Sequence, residues 1–275
     1  MLALVLSSAR ILSPLPAPLA ATFGRGPTIV LVRGLDSGTG RWLPTARILA
    51  RKYRVVFVDL PGHDVGAKPE SFTLERAAQE LDLALARSSR EPVVLVGHSL
   101  GGLVAAAEAC ARPGRVRALV LIETALRPQV EGVERRVALA ALDRDYPGTL
   151  RQVYGALGRD SAQGEALYRQ VAALDPAVVK PWIRLAFATD LSERVARLRC
   201  PLLVVLAPRS WPKGEPWVET AAELGFGAVP RVRAVRVDSC GHFVMLDRPD
   251  ELARLIGRFT DAPDGGPVVL ASFAR

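Results

Sequence analysis

From Thr28 to Phe259, short and largely apolar runs alternate with longer stretches whose apolar residues recur at helical spacing. No other feature narrows the fold as much. Strand-like runs fall at 29–32, 53–60, 92–96, 116–123, 202–207 and 232–237, and helical patterns at 43–52, 74–87, 100–110, 217–224 and 250–259. A strand apolar on both sides is buried on both faces, and helices between strands bring them back parallel. The predicted class is therefore α/β, a mostly parallel central sheet with helices on both faces. Between 124 and 199 the strand signal vanishes, and helical stretches at 132–143, 148–157, 163–174 and 178–188 are punctuated by Gly and Pro. The predicted organisation is one core built from 1–123 and 200–275, with 124–199 inserted as a helical cap. Residues 267–273 suit either an edge strand or a loose tail.

Hydrophobic residues make up 49% of the 275, enough for a large core and too many for a disordered chain. The net charge of +8 is carried almost wholly by arginines, which are spread singly and in pairs with no aromatic residues interleaved. That pattern predicts a solvated surface, and no nucleic-acid partner. Cys110, Cys200 and Cys240 are far apart, lack metal-ligand spacing and are odd in number, which predicts free thiols in a reducing compartment. Residues 1–9 are apolar but lack a preceding basic residue, and Arg10 cuts the run short. A first strand with a Pro-rich connector is favoured there over a signal peptide. No run approaches the roughly 18 apolar residues of a membrane span, so no stable membrane insertion is expected. The reducing compartment that the cysteines indicate makes a cytoplasmic location the expectation, with secretion as the lesser alternative.

Gly97-His98-Ser99-Leu100-Gly101 fits Gly-x-Ser-x-Gly, with a strand-like run before it and a small-residue helical run after it. That context makes Ser99 a nucleophile exposed on a sharp strand-to-helix turn, with glycines where side chains would crowd it. A serine hydroxyl needs a base to take its proton. The chain has three histidines. His98 adjoins Ser99 inside the turn, where neighbouring side chains diverge, and His63 follows an early strand. His242 lies in the loop after the last core strand, and in a parallel sheet that loop emerges at the same carboxyl edge as Ser99. By elimination and position His242 is the expected base.

These segments resemble an α/β-hydrolase over nearly the whole chain from about residue 28. Val32-Arg33-Gly34 stands where that family has His-Gly, Asp59-Leu60-Pro61-Gly62-His63 resembles its next turn, and Cys240-Gly241-His242-Phe243 with Leu246-Asp247-Arg248-Pro249 resembles its histidine loop. The resemblance implies an oxyanion hole from the backbone N–H groups of Leu35 and Leu100. Arg33 departs from the family's histidine and is free to pair with an acid such as Asp36 or to bring charge to the pocket. The family's usual acid would fall in Ala207-Pro208-Arg209-Ser210, where Ser210 replaces it. A neutral serine cannot balance an imidazolium, so the acid is expected elsewhere. Glu123, ending the strand after the one that precedes Ser99, is favoured, as some haloalkane dehalogenases and lipases are similar in placing their acid there. Asp238 is next, followed by Asp36, Asp64 and Asp190.

The expected activity is hydrolysis of small-molecule carboxylic esters with small to medium apolar acyl groups, through an acyl-serine and with no metal or cofactor. Trp42 and Phe243 are candidates for the pocket wall, with core packing favoured for Trp42. Lactonase, C–C bond hydrolase and perhydrolase chemistry remain open on the same residues. So does a non-catalytic ligand-binding protein, motivated by Ser210 and Arg33. The sequence leaves the oligomeric state open.

Overall fold

The computed structural model describes residues 19–35, 39–60, 69, 71–264 and 269–271. Eight strands form one sheet: β1 (Leu19–Phe23), β2 (Thr28–Val32), β3 (Arg54–Val58), β4 (Val93–His98), β5 (Val116–Ile122), β6 (Leu202–Leu206), β7 (Val232–Arg236) and β8 (Val269–Ala271). Their order is β1-β3-β2-β4-β5-β6-β7-β8, with β1 antiparallel to β3 and every other pairing parallel. The chain runs outward from β2 to β3 and then crosses back over β2 to β4. This reversal opens a crevice at the carboxyl ends of β2 and β4, where open α/β sheets bind ligands.

Alternate strand residues feed two cores. Val30, Val32, Leu119, Leu121, Leu202 and Val204 pack on one face against α2 (Leu74–Ser88), α3 (Leu100–Ala111) and α9 (Trp217–Leu224). Ile29, Leu31, Val94, Val96, Val120 and Ile122 pack on the other face against α1 (Leu43–Leu49) and α11 (Pro249–Asp261). The period-two alternation of a strand imposes this division. In α2, Leu74, Ala77, Ala78, Leu81, Ala84 and Leu85 form the buried stripe, and the Thr73 side chain accepts the Arg76 N–H at the helix start.

Between β5 and β6 run α4 (Gly132–Arg144), α5 (Tyr146–Leu157), α6 (Ser161–Ala172), α7 (Pro176–Ala188) and the short α8 (Ser192–Val195). Val178 and Trp182 of α7 join the first core, while Leu150, Tyr154, Leu167 and Val171 of α5 and α6 join the second, so the inserted helices straddle both. The expectation of a strand in 1–9 lies outside the described residues. The first strand described is β1, whose small residues in Leu-Ala-Ala-Thr-Phe gave no apolar-run signal and which pairs only at the sheet edge. Of the two possibilities for 267–273, the structure has an edge strand, β8. The four-residue α8 and α10 (Val244–Asp247) are too short to show helical spacing in sequence.

Candidate active site

The carboxyl ends of β2, β4, β5, β6 and β7 converge around the crevice. β4 ends at His98 and α3 begins at Leu100, leaving Ser99 alone to turn the chain, at φ 52° and ψ −123°. The turn brings Gly101 so close to the end of β2 that a β-carbon there would lie 2.3 Å from the Arg33 carbonyl oxygen. Among the described residues, the non-glycine positions with left-handed φ are Ser99, Glu123 (46°) and Ser239 (56°). Such backbone costs about 1–3 kcal/mol per residue and persists only where surrounding structure imposes it. Ser99 and Glu123 follow adjacent strands, and Ser239 opens the loop that carries His242, so the strain is concentrated at this edge.

Three separate elements hold His242. Its Nδ1 lies 3.0 Å from Glu123 Oε2. Its backbone N–H donates to the Leu157 carbonyl at the end of α5, also at 3.0 Å. Its own carbonyl lies 3.0 Å from Nε2 of His98. A carbonyl only accepts, so His98 carries its proton on Nε2. Burial first, and then the neighbouring His242, hold His98 well below the usual histidine range, and it remains neutral. The two imidazole rings are 4.7 Å apart, which brings His242 against the residue adjoining Ser99.

Glu123 is buried, and both of its oxygens are engaged. Oε1 accepts the Ala207 N–H at 2.7 Å; Oε2 accepts the Ser210 hydroxyl at 3.0 Å and faces His242 Nδ1. The half-exposed Arg209 guanidinium approaches Oε2 to 3.5 Å. Ser210, which left the usual acid position neutral, therefore donates to a carboxylate one strand away. Asp238 pairs with Arg236 at 3.0 Å, and Asp190 accepts both the N–H and the hydroxyl of Ser192. Asp36, Asp64 and His63 lie outside the described residues.

Gly34 follows β2 and lies against the Ser99 turn, where a β-carbon would come within 3.1 Å of Ser99 Cβ. The next carbonyl, that of Leu35, accepts the Tyr154 hydroxyl of α5. Leu100 opens α3, where an N–H has no acceptor within its own helix. Arg33 pairs with Asp59 at the end of β3, with both side chains buried, so its charge is compensated within the core rather than brought to a pocket.

Trp42 and Phe243, the candidates for the pocket wall, are both deeply buried. Trp42 is 0% exposed and Phe243 2%, and both belong to the core that packs on Leu31 and Val96. The Trp42 ring meets His98 edge-on at 6.4 Å. Phe243 lies 5.2 Å from His98, with the Arg41 guanidinium 4.4 Å from its centroid. Both rings pack within this core and against the histidine rings, and neither is appreciably exposed in this structure. Sequence reasoning did not find Tyr154 or the donor role of Ser210. Tyr154 is 119 residues from Leu35, and no local pattern marks such a contact.

The alpha/beta hydrolase family model matches residues 29–255. The chain belongs to the alpha/beta hydrolase family. It is 30% identical over 254 residues to the pimeloyl-[acyl-carrier protein] methyl ester esterase of Xanthomonas campestris pv. campestris, covering 87% of this chain and 97% of that relative. Among solved structures, this hydrolase is similar to a bromoperoxidase from Bacillus anthracis, with a TM-score of 0.75, 16% identity and coverage of 87% and 94% of the two chains. A thermophilic esterase from Thermogutta terrifontis gives a TM-score of 0.72, 24% identity and coverage of 88% and 92%. At those identities the solved structures speak to fold alone, whereas the curated relative supports ester hydrolysis at the level of the family. No helix among the described residues is long and apolar enough to cross a membrane.

Proposed function

We propose that this hydrolase cleaves carboxylic esters through an acyl-serine formed on Ser99. The observation that carries the reading is the 3.0 Å contact of His242 Nδ1 with a buried Glu123, at the sheet edge where Ser99 sits on a strained turn. Glu123 holds the proton on Nδ1, which leaves Nε2 as the lone-pair acceptor for the Ser99 proton. Ser99 Oγ bonds the ester carbonyl carbon, and the carbonyl oxygen becomes the oxyanion. The N–H groups of Leu35 and Leu100 stabilise that charge, at roughly a few kcal/mol each for donors so placed. Nε2–H of His242 then protonates the departing alkoxide. Water, deprotonated by the same imidazole, releases the acid and restores Ser99.

The helices over 124–199 act as a cap, and their apolar faces favour small to medium aliphatic or aromatic acyl groups. The relatives add a specific candidate, the methyl ester of an acyl chain borne on an acyl-carrier protein. The free thiols Cys110, Cys200 and Cys240 support a cytoplasmic site of action.

The test is intact-mass analysis after exposure to a fluorophosphonate, followed by a panel of p-nitrophenyl esters and the carrier-bound methyl ester. A single adduct and ester turnover are expected for the wild type, with both lost in Ser99→Ala and turnover lost in His242→Ala. A folded wild type with neither adduct nor turnover would replace this reading with that of a ligand-binding protein.

A further inference from the structure

Asp247 has a buried carboxylate, 1% exposed, that accepts from two different parts of the chain. Oδ2 accepts the N–H of Gly241, the residue before His242, at 2.8 Å. Oδ1 accepts Nε2 of Gln163, in the first turn of α6, at 2.7 Å and Nη1 of Arg159, in the turn between α5 and α6, at 3.2 Å. Gln163 is itself oriented, because its Oε1 accepts the Arg159 backbone N–H at 2.6 Å and thereby points its NH₂ group at Asp247. The main chains interlock as well. His242 N–H donates to the Leu157 carbonyl, and a β-carbon on Gly241 would lie 2.6 Å from Arg159 N and 2.7 Å from Leu157 O. Only a glycine allows this approach of the histidine loop to the inserted helices.

We infer that Asp247, with Arg159 and Gln163, is a positioning cluster that makes the placement of His242 depend on the α5–α6 turn being seated on the core. The inference rests on the reading of His242 as the base. A buried carboxylate is tolerated only while its donors are in place. When the α5–α6 turn lifts, Asp247 loses both side-chain donors and His242 loses its backbone acceptor, so the loop relaxes and the imidazole leaves register. The turn packed on the histidine loop thus also sets the base, and a proton is taken from Ser99 only while that turn is seated on the core. Sub-ångström placement of such a group is worth orders of magnitude in rate. The cluster touches no reacting atom and acts through the Gly241–His242 backbone.

The experiment compares Asp247→Asn and the double variant Arg159→Met/Gln163→Met with the wild type on p-nitrophenyl acetate, a substrate too small to need contacts from the inserted helices. An Arg151→Met variant, which removes the exposed pair with Glu165 elsewhere on the same helices, serves as control. The expected result is a kcat about tenfold or more lower in both test variants, with KM within about twofold and no change in the control. The rate of fluorophosphonate labelling at Ser99 should fall by a similar factor, which a purely scaffolding role would not produce. The double variant changes one half-exposed and one half-buried side chain and leaves the buried Asp247 in place, so it remains decisive if Asp247→Asn does not fold. Unchanged kcat in the folded variants overturns the inference, as does a change confined to KM, which would place the contact in substrate binding. His242→Ala separates the two levels. Turnover retained there removes the underlying reading, whereas turnover lost there but kept in the cluster variants removes only this inference.

Discussion

Replacing Glu123 by glutamine changes one atom's hydrogen-bonding character and leaves the volume alone, and the surroundings dictate which way the amide must lie. Oε1 accepts the Ala207 N–H at 2.7 Å, and that backbone group can only donate. Turning the glutamine NH₂ toward it would oppose two donors and leave a buried N–H unsatisfied, a cost of about 1–3 kcal/mol. The amide oxygen therefore takes the Oε1 position, and the NH₂ takes the Oε2 position, 3.0 Å from both His242 Nδ1 and the Ser210 hydroxyl. The hydroxyl can rotate to accept. The imidazole can accept only by giving up the proton on Nδ1, which moves it to Nε2 and removes the lone pair that must receive the Ser99 proton. A wrong-tautomer histidine of this kind costs roughly 10³–10⁴ in kcat, or about 4–5.5 kcal/mol of transition-state stabilisation. Steady-state kinetics on a p-nitrophenyl ester at pH 8 measures the loss, and thermal melting checks that the fold is unchanged. A loss below about tenfold in a folded variant would show that Glu123 does not orient the base.

Two further outcomes follow from groups away from the reacting atoms. Glu108 in α3 is wholly buried beside Arg112, and burial pushes its carboxyl up to about 7. Its native state holds a proton that the unfolded chain has lost between pH 4.5 and 7, so the residue costs stability as pH rises through that window, by about 3 kcal/mol at the plateau. Glu108→Gln should thus gain up to that amount in urea unfolding at pH 8 and nothing at pH 4.5; an equal effect at both pH values would contradict the assignment. Gly101→Ala drives a methyl group into the Arg33 carbonyl. It should lower the melting temperature and abolish fluorophosphonate labelling together, because the turn that presents Ser99 must shift to make room; a normally labelled, fully stable variant would contradict the packing argument.

The parts of this hydrolase readable in advance are those written in local periodicity. Largely apolar runs placed every core strand from β2 to β7, because a strand covered on both faces is apolar at most positions, and helical spacing placed α1 to α7, α9 and α11 to within a few residues. Ser99 was legible because a strained turn needs small neighbours within two residues of it, and His242 because loops after parallel strands share one edge. Other features needed tertiary structure. β1 has an ordinary small-residue sequence and becomes a strand only by pairing with β3. Trp42 and Phe243 are apolar near the site whether they line a pocket or fill the core, and only the tertiary packing shows how deeply each is buried. The sequence put Glu123 at the end of its strand but could not say which carboxylate reaches a histidine 119 residues away, since that depends on a rotamer, a backbone amide and the Ser210 hydroxyl. Periodicity reports which face of an element is buried; contacts between distant loops leave no period, and they come into being only when the sheet brings the strand ends together.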